Sequence, residues 1–107
     1  MGTTSHEIDS YRVYHHNEDN TYGQAAVINC LKSGVNKATL YFYREGTSIP
    51  ASAIASNGTI YLRFSERRIH EILDTLRNEK PLHVVFNSSN KWGWLGTTNE
   101  PVGEEET

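Results

Sequence analysis

The chain has a single cysteine, Cys30, so no internal disulfide can staple it and its stability has to come from burial. That agrees with a reducing compartment, and a lone thiol in an apolar stretch reads as a buried strand residue. Long apolar runs are also missing. None approaches the ~20 residues needed to cross a bilayer, and the polar start Met1-Gly-Thr-Thr-Ser-His-Glu7 has no signal-peptide apolar region, so the chain is expected to be cytoplasmic and not in a membrane. Positive charge is in short supply: the formal net charge is −3 and the pI near 5.9. This argues against a protein whose affinity rests on broad phosphate neutralisation, although a local basic patch remains open and charge alone excludes little. Much of the acidity sits in Glu18-Asp19 and in Glu104-Glu105-Glu106, which leaves the body nearer neutral than the total.

What is present is enough for one domain. A chain of 107 residues can bury roughly two-thirds of its unfolded surface. The 10% of residues that are aromatic bring large areas to each buried position, which favours a core over disorder. No repeat, linker or low-complexity tract divides the chain. Residues 1-9 are small and polar and predict a fraying segment, 10-98 a single α+β domain, and 99-107 an acidic flexible tail.

Within the domain, residues 11–16 and 25–32 have strand character on either side of a loop rich in Asn, Asp and Gly. Residues 37–44 follow a short turn at Ser33-Gly34-Val35-Asn36, giving the clearest hairpin. Gly46, Pro50 and Gly58 make 45–58 a loop. Residues 59–64 then place Ile60, Leu62 and Phe64 on one face of a strand. Ser65 suits an N-cap, since its hydroxyl can accept from a first-turn N–H, and Ile69, Ile72, Leu73 and Leu76 line one helical stripe. Pro81 stops that helix near Asn78 or Glu79. Residues 82–87 and 91–97 read as two more strands. The expectation is therefore a six-stranded, mainly antiparallel or mixed sheet packed against one helix, in the order β-β-β-β-α-β-β. If the helix lies antiparallel to both flanking strands, 59–64 and 82–87 run in the same direction.

Chemistry-bearing patterns are few. His70-Glu71 opens like the zinc-protease helix motif, but Asp74 stands where the second His belongs and no third ligand follows at a usable spacing. His15 and His16 are strand neighbours pointing to opposite faces, so they cannot readily share an ion, and His6-Glu7 lies far upstream. His83 reads as a cross-strand polar residue. No Gly-x-Ser-x-Gly or Cys/His signature offers an activated nucleophile, and Gly93 and Gly96 make no phosphate loop. The sequence thus yields no catalytic residue, metal ligand set or cofactor.

The stronger signal is aromatic. Strand alternation puts Leu40 and Phe42 on one face of 37–44 and Tyr41 and Tyr43 on the other, and likewise separates Ile60, Leu62 and Phe64 from Tyr61 and Arg63. If the helix covers the aliphatic side, then Tyr41, Tyr43, Tyr61 and Arg63 gather on the second face, provided these strands are neighbours. Trp92 and Trp94 fall on one side of the last strand, and Val84, Val85 and Phe86 make 82–87 apolar on both faces.

Two resemblances accompany these residues. Leu76-Arg77-Asn78-Glu79-Lys80-Pro81 and Gly96-Thr97-Thr98-Asn99-Glu100-Pro101-Val102-Gly103-Glu104 resemble a pattern in small, uncharacterised bacterial proteins, with Leu40 to Gly46 and Ile49-Pro50 resembling their central strand and loop. That resemblance implies a bacterial origin and no activity. The order of four strands and a helix is similar to β-rich single-strand-binding modules, from which the acidic balance and two later strands depart.

Three functions follow as expectations. The first is a non-enzymatic binding or assembly module that uses Tyr41, Tyr43, Tyr61, Arg63, Trp92 and Trp94 to meet a protein partner or its own copy. The second is single-stranded nucleic-acid binding by Tyr and Arg stacking, against which the net charge weighs. The third is a small metal- or His-dependent enzyme.

Overall fold

The computed structural model describes residues 2–17 and 23–97. Strands β1 (Thr3–Ile8) and β2 (Ser10–His15) are separated only by Asp9; β3 (Gln24–Lys32) and β4 (Val35–Tyr43) form the long hairpin. A two-residue strand β5 (Ala53–Ile54) precedes β6 (Ile60–Ser65), and a 3-10 turn at Glu66–Arg68 leads into helix α1 (Ile69–Asn78). Strands β7 (Leu82–Asn87) and β8 (Trp92–Thr97) close the described chain.

The α+β class holds, but the strands make two sheets instead of one of six strands. The larger has the order β2-β3-β4-β6-β5 and the smaller β1-β7-β8. Every pairing is antiparallel except β4 with β6, which aligns Leu40 with Leu62 and Phe42 with Phe64. The same-direction neighbour of β6 is therefore β4, and β7 belongs to the other sheet. Residues 3–8, expected to fray, are strand β1, with Ile8 opposite Leu82 of β7. The expected acidic tail at 99-107 lies outside the described residues.

The two sheets divide at Asp9, between β1 and β2. The chain leaves one sheet and enters the other there: the Asp9 N–H donates to the Leu31 carbonyl at 2.8 Å. The Asp9 carboxylate accepts from the Ser33 N–H at 3.1 Å, holding the β3–β4 turn. That turn has Ser33 at φ 52° and Gly34 at φ 81°, both left-handed, as tight hairpins of right-twisted strands require. One nearly continuous extended segment is thus shared between two sheets.

The two inner faces meet in a single core. Ala26, Ile28, Cys30, Ala38, Leu40, Phe42, Ile60 and Leu62 of the large sheet pack with Ile8, Leu82, Val84 and Phe86 of the small sheet and with Ile72, Leu73 and Leu76 of α1. The helix therefore shares the covering of the large sheet with β1, β7 and β8. Ser65 Oγ accepts from the Arg67 N–H at 3.3 Å, so the expected cap serves the 3-10 turn before α1. Gly93 shows how close the layers come: a methyl there would fall on Leu62 Cδ2 and within 2.9 Å of the Val85 carbonyl oxygen. Glycine at this position lets the small sheet approach β6.

Candidate functional site

Register places the outer face of the large sheet in rows. Tyr14 stands opposite Val27, Val27 opposite Tyr41 and Tyr41 opposite Arg63; beside them run Arg12, Asn29, Thr39 and Tyr61. The expected set Tyr41, Tyr43, Tyr61 and Arg63 is thus brought together because β4 and β6 are neighbours. Tyr41 stacks on Tyr61 with centroids 6.2 Å apart and planes at 26°, and meets Tyr43 at 6.5 Å. The Arg63 guanidinium carbon lies 5.1 Å from the Tyr41 centroid, a cation over a ring face. Arg63 Nη1 donates to Tyr43 Oη at 2.9 Å.

The cluster is more closed than alternation alone implies. Tyr43 is only 3% exposed, so it cannot present a ring to a ligand without rearrangement. A cleft of about 460 Å³ lies between the loop after β4 and the sheet, lined by Gln24, Tyr41, Tyr43, Ser48, Pro50 and Arg63. Ser52 Oγ accepts from the Arg63 N–H at 3.1 Å, fixing the loop's far end. At its near end Glu45 Oε2 accepts from Ser65 Oγ, and the Glu45 N–H donates to Glu66 Oε2 at 2.9 Å. Burial pushes the Tyr41 hydroxyl above its ordinary pKa; Tyr61 and Tyr43 push the same way, and Arg63 opposes them.

Charge is segregated. Strands β2 to β6 contain no Asp or Glu, while Arg12 and Arg63 stand on their outer face. Arg12 and Tyr14 joined the expected cluster only through the β2–β3 register, although their i, i+2 spacing was already visible.

Trp92 and Trp94 are not part of this surface. Gly93 faces Leu62 across the core, so both tryptophans point away from it, on the outer face of the small sheet beside Asn87 and Val85. They are 70% and 49% exposed, and the single Tyr–Trp surface expected from sequence is two surfaces on opposite sides of the molecule. The reason is topological: β8 pairs with β7 and never joins β4 or β6.

The histidines stay apart. His6 Nε2 bonds the Gly58 carbonyl at 2.7 Å, His15 and His16 are both exposed, and exposed His70 sits a turn before an Asp74 that accepts from Asn78. Among the described residues no three of His, Cys, Asp and Glu come together as a metal site, and no helix is long and apolar enough to cross a membrane. No protein-family model, curated protein or solved structure matches this chain.

Proposed function

We propose that the protein is a non-enzymatic assembly module and that the small sheet is where a second copy of the chain docks. The observation that carries this reading is the pair Trp92 and Trp94, 70% and 49% exposed on one face of an edge strand. Edge strands are ordinarily guarded by charge, proline or a bulge. β8, with the sequence Trp-Gly-Trp-Leu-Gly-Thr, has no charge and no proline. Among the described residues no strand pairs with its outer edge. Two β8 strands running antiparallel about a twofold axis satisfy each other's backbone groups and set four tryptophans on one continuous face, the kind of aromatic surface that anchors interfaces. Light scattering after size exclusion tests it: the wild type is expected to form a concentration-dependent dimer, and Trp92→Ala/Trp94→Ala a monomer. A wild type that stays monomeric at high concentration ends the reading.

A second reading is supported by the charge segregation. A carboxylate-free sheet face bearing Arg12, Tyr14, Tyr61 and Arg63 suits single-stranded nucleic acid, whose bases stack on rings and whose phosphates meet cations. Anisotropy of a labelled mixed oligonucleotide is expected to show affinity that falls with salt and with Arg12→Ala. Absence of binding at low salt rejects it.

A further inference from the structure

The cleft beneath the loop after β4 holds Arg63 in a setting that the self-association reading does not use. Arg63 makes no ion pair among the described residues. Its guanidinium rests on the Tyr41 ring and donates to the Tyr43 hydroxyl, while Nε is shielded from solvent and has no hydrogen-bond acceptor. Only Nε is shielded; the Arg63 side chain as a whole is half-buried and lines the cleft. A guanidinium with no carboxylate partner is best matched by an oxyanion that accepts its charge-assisted N–H bonds. No carboxylate lines the cleft to play that part, since its other lining residues are Gln24, Tyr41, Tyr43, Ser48 and Pro50.

We infer that this cleft is a binding site for a small molecule that presents an oxyanion, a phosphate monoester or a carboxylate, to Arg63 and packs the rest of its body against Ser48 and Pro50, beside the edge of Tyr41. Size decides for a body larger than the anion alone. A cleft of about 460 Å³ lies in the ordinary range for small-ligand sites and would be mostly empty around inorganic phosphate. The polar groups are sparse: the Arg63 guanidinium, the Gln24 amide and the hydroxyls of Tyr41, Tyr43 and Ser48, each of which can donate to oxygen. Ser48 and Pro50 are exposed on the loop, so the ligand has a route in past side chains that hold no core position. The site is on the opposite side of the molecule from Trp92 and Trp94, so its success or failure is independent of self-association through β8.

Amide NMR spectra titrated with inorganic phosphate, adenosine monophosphate, adenosine and benzoate test the assignment. Support is a saturable shift of the Gln24, Tyr41, Tyr43, Ser48 and Arg63 signals with the monophosphate or benzoate, weaker with phosphate and absent with adenosine. Whichever of the two ring-bearing anions binds tighter identifies the oxyanion. Arg63→Met removes the charge, and Ser48→Glu places a competing carboxylate on the exposed loop without disturbing the core. Each is expected to weaken binding by at least about tenfold. No saturable shift with any anion overturns the assignment, and so does binding that adenosine reproduces or that survives Ser48→Glu in a variant whose remaining spectrum is unchanged.

Discussion

The two outer faces of this sandwich have similar chemistry on paper and differ in how it is held. On the large sheet the aromatic rings are tied down: Tyr41 packs on Tyr61 and Arg63, and Tyr43 is buried and accepts from Arg63. On the small sheet Trp92 and Trp94 stand on an edge strand with most of one ring system and half of the other in solvent. An aromatic residue on a sheet face is thus not yet a docking residue. What decides is whether neighbouring side chains have already taken its surface, because only area still in contact with water can be gained on binding.

The sharpest way to break the comparison is to disturb the contact that sets the two sheets apart. Leu62→Ala is expected to cost about 2–5 kcal/mol and Gly93→Ala about 1–3 kcal/mol, the first by a cavity and the second by overpacking. Because the added methyl would occupy space that Leu62 Cδ2 fills, the double variant should lose less than the sum in urea unfolding. Strict additivity would mean that the layers do not meet there.

Next in size is Tyr43→Phe, which keeps the ring and removes the acceptor for Arg63 Nη1. A loss of about 1–3 kcal/mol is expected in thermal unfolding, since a charged donor in a half-buried cluster loses its partner. Tyr14→Phe on the same face should stay within about 0.5 kcal/mol. Equal effects would show that the cluster is not held together as described.

A smaller effect distinguishes the core between the faces. Burial pushes the Cys30 thiol up to about 12 from an ordinary 9.0. The neutral thiol favours the folded state, so its contribution is fully present below pH 9.0 and is lost as the pH rises through about 12. Above 9.0 the unfolded chain has given up a proton that the folded chain keeps, so stability falls with rising pH. The urea midpoint of Cys30→Ala should decline less steeply than that of the wild type over this range. Native Cys30 should also react with a thiol reagent only as fast as the chain unfolds.

The smallest expected change in stability comes from the freest residues. Trp92→Ala/Trp94→Ala should leave monomer unfolding within about 1 kcal/mol, because exposed side chains gain little from folding. A large loss would show that the tryptophans cover their own sheet instead of awaiting a partner.

Much of this architecture was legible in the order of residues because the signals are local. Ser65, the Ile69-to-Leu76 stripe and Pro81 bracket α1 by capping, 3.6-residue periodicity and a missing N–H, and alternation sorted Leu40 and Phe42 from Tyr41 and Tyr43. The gathering of Tyr41, Tyr43, Tyr61 and Arg63 needed only that two strands be neighbours, which β4 and β6 are. Period-2 alternation fixes which side of its own strand a residue occupies and is silent about which sheet the strand joins. That silence is why alternation alone does not separate Trp92 and Trp94 from the tyrosines, and why Thr3–Ile8, polar on its exposed side, carries a weak strand signal until β7 pairs with it. Tertiary structure alone decided the switch of sheets at Asp9, the approach of Gly93 to Leu62 and the cleft between Tyr43 and the loop after β4. Each depends on backbone hydrogen bonds or packing between residues distant in the chain, and no local propensity encodes those.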